Sequence, residues 1–214
     1  MIRAVIFDLD GTLLDTLEDI TDSLNVSLRT IGQPERTVQE VRTFVGNGAA
    51  KLLERAVTTP VDAQTFEKTL AFYGTYYSAH QAIKTKPYPG VAALLQTLRD
   101  KGIRTAVLSN KQDDIVRPLC AHYFPGLLDF AAGPCDGRGP KPAPDGVYYI
   151  AERLGVPLSE ILFVGDAETD VRTGLAADVQ TVAVLWGFRD RETLTAVGAE
   201  NFAEKSDDIL KFLF

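Results

Sequence analysis

The sequence predicts an α/β protein: a doubly wound parallel sheet interrupted, soon after its first strand, by an all-helical segment. Three observations predict it. Short continuous runs of Ile, Val, Leu and Phe recur along the chain, as strands buried on both faces of a parallel sheet require. Between those runs lie segments with apolar residues at helical spacing, which is the βαβ rhythm. From residue 15 to about 85 the rhythm stops and only helical patterns remain.

Residues 1–10 read as the first strand, carried by Val5, Ile6 and Phe7. Four helical sets follow. Leu17, Ile20, Leu24, Leu28 and Ile31 make the first, stopped by Gly32. Val38, Val41, Phe44 and Val45 make the second, stopped by Gly46-Asn47-Gly48. Ala49, Leu52, Leu53, Ala56 and Val57 make the third, and Phe66, Leu70, Tyr73 and Tyr77 the fourth. The βα rhythm resumes with "PGVAALLQTLRDKG", where Val91, Leu94, Leu95 and Leu98 share a face and Gly102 ends the helix. A strand "IRTAVLSN" (Ile103 to Asn110) and a weaker one, "LLDFAAG" (Leu127 to Gly133), come next. A helix with Val147, Ile150, Ala151 and Leu154 on one face ends at Gly155. The strands "ILFVGD" (Ile161 to Asp166) and "QTVAVLW" (Gln180 to Trp186) complete the pattern. The expected division is a core of 1–14 and 86–214 and a helical insertion of 15–85.

Length and charge narrow the function. The chain has 214 residues, 45% hydrophobic and 24% charged, as a soluble globular protein has. A net charge of -7 repels nucleic acid and anionic membrane, so neither is expected as a partner. An anionic small molecule stays open, because a metal ion inverts the local field. No apolar run reaches transmembrane length, and the N-terminus enters a strand pattern without secretory features. Cys120 and Cys135 lack metal-like spacing and are expected as free thiols in a reducing cytoplasm. A monomer or homodimer is expected.

The chemistry gathers at strand ends, where open α/β sheets bind ligands. "VIFDLDGTLLD" brings Asp8 and Asp10 to the end of the first strand, with Gly11 and Thr12 behind them. The second strand ends in Ser109-Asn110, "GPKPAP" carries Lys141, and "GDAETD" carries Asp166 and Asp170. Four carboxylates so close together call for a cation, and all-oxygen ligation suits Mg²⁺. A lysine and two hydroxyls beside a metal suit a phosphoryl group. Asp8, aimed into the site by its strand, is the candidate nucleophile, forming an aspartyl-phosphate. Asp10 is the candidate that protonates the leaving alkoxide and then takes a proton from water. Gly11 lets the backbone approach the phosphate.

These segments, "DLDGT" at Asp8–Thr12, "LSN" at Leu108–Asn110, "KP" at Lys141–Pro142 and "GDAETD" at Gly165–Asp170, resemble the four motifs of the haloacid dehalogenase superfamily, in order and across nearly the whole chain. The resemblance implies a Rossmann-like core with a helical cap inserted after the first motif. It implies Asp8 as nucleophile and Asp10 as acid/base. Thr12, Ser109, Asn110 and Lys141 would hold the phosphoryl group. Asp8, the backbone carbonyl of Asp10, and Asp166 would bind Mg²⁺, and Asp170 would orient Lys141 or support the metal shell. An aspartate at position 10 points to phosphatase or phosphomutase chemistry rather than halide displacement. "FVGNGAAKLLERA", "HYFPG" and "LWGFRDRETL" resemble phosphoglycolate phosphatases and their close relatives.

The expected activity is hydrolysis of a small organic phosphate monoester, phosphoglycolate first. Alternatives are a sugar-phosphate mutase, a pyrophosphatase, a nucleotidase or a non-catalytic phosphate-binding protein. In the cap, Gly46-Asn47-Gly48 opens a helix whose N–H groups suit a carboxylate or second phosphate, flanked by Arg42 and Lys51; a plain turn with two solvated charges is the competing reading. Two departures from the family stand out. Ala167 occupies a place where Ser or Thr is frequent, and Asp178 lies where relatives carry a nearby glycine. His80 and His122, Tyr73, Tyr76 and Tyr77, and Trp186 and Phe188 are expected to pack rather than react.

Overall fold

The computed structural model describes residues 1–135 and 137–214. In chain order its strands are β1 (Ala4–Phe7), β2 (Leu14–Asp15), β3 (Lys86–Pro87), β4 (Arg104–Leu108), β5 (Phe130–Ala132), β6 (Ile161–Gly165), β7 (Gln180–Val184) and β8 (Phe202–Ala203). Six of them form one parallel sheet in the order β5-β4-β1-β6-β7-β8. From β1 the chain builds first toward β4 and then, on the other side, toward β6. That reversal places the crevice for a ligand beyond the end of β1. The register makes this concrete: Phe7 pairs with both Val107 and Val164, so Asp8 comes level with Leu108 and Gly165, one residue before Ser109 and Asp166.

Side-chain alternation divides the core between two layers. On one face Val5, Phe7, Val107, Leu162 and Val164 pack with α5 (Val91–Asp100) and α6 (Asp113–Tyr123). On the other, Ala4, Ile6, Ala106, Leu108, Ile161 and Phe163 pack with α7 (Asp145–Leu154). α8 (Glu168–Ala177) adds Ala177 to that second layer. α9 (Arg191–Ala196) supplies Leu194 to a small cluster with Val171 and Ala183. Phe163 is fully buried, and truncating such a residue to Ala costs roughly 3–5 kcal/mol.

The strands are shorter than their apolar runs. β1 stops at Phe7 because the chain turns at once around Gly11, whose φ is +83°. β7 stops at Val184, short of Trp186, and is not the last strand. β8 follows it; two residues are too few to show any periodicity.

The chain divides into two compact units, 1–14 with 87–214, and 15–86. β2 and β3 pair as a two-stranded ribbon where the chain leaves the first unit and returns. The second unit is helical: α1 (Leu17–Thr30), α2 (Val38–Phe44), α3 (Ala49–Ala56) and α4 (Ala63–His80). Its core is Leu24, Leu28, Val41, Leu53, Ala56, Tyr73 and Tyr77. Thr37 and Glu40 cap α2 reciprocally, and Asp62 caps α4. The buried carboxylate of Asp19 accepts the backbone N–H groups of Ile83, Lys84 and Thr85 and the Thr85 hydroxyl. His80 stacks on Tyr76 at 3.9 Å, as a packing residue does. Among the described residues no helix is long and apolar enough to cross a membrane.

Candidate active site

β1 ends at Phe7, and Asp8 follows with 7% of its surface exposed. The loop of Lys141 brings the Nζ of that residue to 2.7 Å from Asp8 Oδ1 and 2.6 Å from Asp170 Oδ1. The other oxygen of Asp170 accepts the N–H groups of Asp166 (3.1 Å) and Ala167 (2.9 Å). Asp170 is therefore held rigidly and in turn fixes the lysine. Asp166 accepts the Thr12 hydroxyl (3.0 Å) on one oxygen and the Phe188 N–H (2.7 Å) on the other. Asp10 accepts Lys111 Nζ at 2.5 Å and the Ser109 hydroxyl at 3.4 Å.

Burial controls the electrostatics. It raises the carboxyl of Asp8 well above the usual range, with the charge of Asp170 adding to it and Lys141 opposing. Burial, followed by Asp170, pushes Asp166 up to about 7, against the Phe188 and Thr12 hydrogen bonds. Burial alone would lower the ammonium of Lys141, but Asp170 and Asp8 outweigh it and hold the group above the ordinary lysine range. With all four carboxylates ionised, the two ammonium groups among the described residues would leave two negative charges, the charge of one divalent cation. One oxygen from each of Asp8, Asp166 and Asp170 lies within 4.8 Å of the others. A hard cation fits this donor set.

The register thus brings Asp8, Asp10, Thr12, Ser109, Lys141, Asp166 and Asp170 together at one end of the sheet. Some side chains do work that the motif pattern does not show. Thr12 holds Asp166. Asn110 spans to the main chain of Lys141, donating to its carbonyl (3.0 Å) and accepting its N–H (2.7 Å). A Cβ on Gly11 would lie 2.3 Å from Asp166 Oδ2, so this glycine makes room for a carboxylate of the protein itself. Arg42 lies on α2 and Gly46-Asn47-Gly48 between α2 and α3, all in the helical unit. Lys51, on α3, pairs with Glu54 at 2.7 Å. Arg55 ties that loop by donating to the Phe44 carbonyl and to Asn47 Oδ1.

Sequence reasoning missed Lys111, although it directly follows "LSN". It also took packing as the default for Trp186 and Phe188, although the turn there faces the active-site edge. There the Trp186 indole donates to the Thr12 carbonyl (3.0 Å), and Gly187 sits so close to Asp166 that a Cβ would stand 2.3 Å from the Cβ of the aspartate. The signal was a glycine between two aromatics just past a strand end.

A family model described as haloacid dehalogenase-like hydrolase matches residues 2–178. The chain belongs to this family. It is a hydrolase similar to phosphoglycolate phosphatases. A protein of that name from Pseudomonas savastanoi pv. phaseolicola is 33% identical over 99% of this chain and 78% of its own length. Another from Neisseria meningitidis is 32% identical over 91% of this chain and 85% of its own. A solved structure from Lactobacillus delbrueckii subsp. bulgaricus, provisionally named a phosphoglycolate phosphatase, superposes with a TM-score of 0.93 at 32% identity, covering 99% of this chain and 98% of that one. The four motifs all lie within the matched residues, and the haloacid dehalogenase architecture accounts for the parallel sheet with helices on both faces.

Proposed function

We propose that this hydrolase is a Mg²⁺-dependent phosphatase that cleaves a small organic phosphate monoester through an aspartyl-phosphate, and that phosphoglycolate is its substrate. The observation that carries the reading is Asp8 at the end of β1 with a single ammonium, that of Lys141, shared between it and Asp170. The carboxylate oxygen of Asp8 attacks phosphorus; the bond from phosphorus to the leaving oxygen breaks, and Asp10 gives that oxygen a proton. Water then attacks the phosphoryl group and loses a proton to Asp10, which releases phosphate and restores Asp8. Lys141 offsets charge on the phosphoryl oxygens, and the Ser109 hydroxyl and loop N–H groups are donors toward them. Asp8 and Asp166, with the carbonyl of Asp10, are the residues to hold the metal. Mg²⁺ bound there supplies charge neutralisation and in-line positioning. The names of the relatives support phosphoglycolate. Arg42 and Lys51 are the proposed readers of a second negative charge on the substrate.

The test is a panel of phosphate esters with and without Mg²⁺, assayed with the wild type and Asp8→Asn. Phosphoglycolate turnover that needs Mg²⁺ and drops at least about a thousandfold in the folded variant supports the reading. Substantial activity in Asp8→Asn overturns it.

A further inference from the structure

Among the described residues, Lys111 is a cation at this site to which the proposed mechanism gives no task. Its loop, running from β4 into α6, is fixed at both sides. Asn110 is hydrogen-bonded twice to the main chain of Lys141. The carbonyl of Lys111 packs on Gly133, where a Cβ would come within 2.0 Å of it. The Lys111 N–H donates to Ser109 Oγ at 3.1 Å, and Ser109 Oγ faces Asp10 Oδ2 at 3.4 Å. The lysine side chain then delivers Nζ to Asp10 Oδ1 at 2.5 Å, with the two side chains only 12% and 17% exposed. This is unlike Lys51–Glu54, where both partners are more than half exposed and water screens the pair. Lys141 serves Asp8 and Asp170, so the two lysines pair with three of the four carboxylates, and Asp166 is held instead by Thr12 and the Phe188 N–H.

We propose that Lys111 is a positioning residue for Asp10: it fixes the rotamer of the carboxylate that exchanges a proton with the leaving oxygen. The inference rests on the phosphatase reading above. It also sets where the effect must appear. An alkoxide leaves only with a proton, whereas p-nitrophenolate leaves without one. A displaced Asp10 therefore slows alkyl esters and spares the aryl ester in the first step. The ratio kcat/KM isolates that step, because it excludes later hydrolysis of the intermediate when the first is irreversible.

The experiment measures kcat/KM for phosphoglycolate, ethyl phosphate and p-nitrophenyl phosphate in the wild type, Lys111→Met, Lys111→Arg and Asp10→Asn, all with Mg²⁺. Lys111→Met is expected to lose about tenfold or more on both alkyl esters and less than about threefold on the aryl ester, a fraction of the full value of a general acid. Lys111→Arg restores most of the loss. Asp10→Asn shows the same alkyl bias, more strongly. Equal losses on all three esters, or none, overturn the proposal. A loss confined to phosphoglycolate also overturns it, because Lys111 would then read the carboxylate of the substrate. If Lys111→Met does not fold by circular dichroism, Lys111→Gln is read by the same criteria. A wild type without esterase activity, or an Asp10→Asn enzyme without alkyl bias, instead refutes the phosphatase mechanism itself.

Discussion

Asp170 fixes Lys141 through one oxygen, at 2.6 Å, while its other oxygen accepts two backbone N–H groups at the start of α8. A single carboxylate thereby ties the lysine of one loop to the strand end of another. Asp170→Asn removes the charge and turns an amide N–H toward donors. The cost is expected to be roughly 1–3 kcal/mol of stability, with kcat reduced far more than KM. Denaturant unfolding and steady-state kinetics check both. A change in KM alone would mean that Lys141 needs no such tie.

Metal removal is expected to stop the reaction. Excess chelator abolishes turnover, Mg²⁺ restores it, and Ca²⁺ in its place inhibits. The larger, looser Ca²⁺ shell would take both oxygens of Asp8 and so withdraw the one proposed to attack. Activity in Ca²⁺ equal to that in Mg²⁺ would contradict an attacking Asp8.

The metal-free protein should carry a pH signature. The carboxyl of Asp166 titrates at about 7, raised first by burial and then by the charge of Asp170. An unfolded aspartate titrates at about 3.9, so the folded state holds the proton more tightly. The contribution of this group to stability is full below about pH 4 and is lost as pH rises through about 7. A bound cation replaces the proton, so metal binding near pH 6 should release on the order of one proton. Calorimetry in two buffers of different ionisation enthalpy measures this. Identical heats in the two buffers would place Asp166 fully ionised before the metal arrives.

Asp178 ends α8 in the left-handed region, at φ 54° and ψ 46°. Aspartate tolerates that conformation, and glycine adopts it without a Cβ clash. Relief of the left-handed strain outweighs the greater chain freedom of glycine when unfolded, so Asp178→Gly should stabilise the protein by roughly 0.5–1 kcal/mol and leave kcat unchanged. The readout is the shift in denaturation midpoint; a destabilised variant would show that the aspartate side chain contributes more than the strain costs.

The sequence by itself determined five of the six strands of the sheet and the chemical inventory apart from Lys111. Apolar runs at Val5–Phe7, Thr105–Leu108 and Ile161–Val164 report local backbone period, and so do the helical stripes of residues 17–77. The left-handed turn at Asp178 was also foreshadowed, by the missing glycine. The two-residue β8 was not legible, because so short a strand exists only through pairing with β7. Nor was the partnership of charges. Nothing local assigns Lys111 to Asp10 rather than to Asp8, and the tie of Asp170 to Lys141 stood only as one of two roles that the family resemblance implied. Thr12 and Asp166 lie 154 positions apart, and their bond follows from β6 pairing beside β1. Tertiary structure alone decided these pairs, since buried charges select partners by where packed strands deliver them, and a few ångströms in a low-dielectric interior separate a strong pair from none.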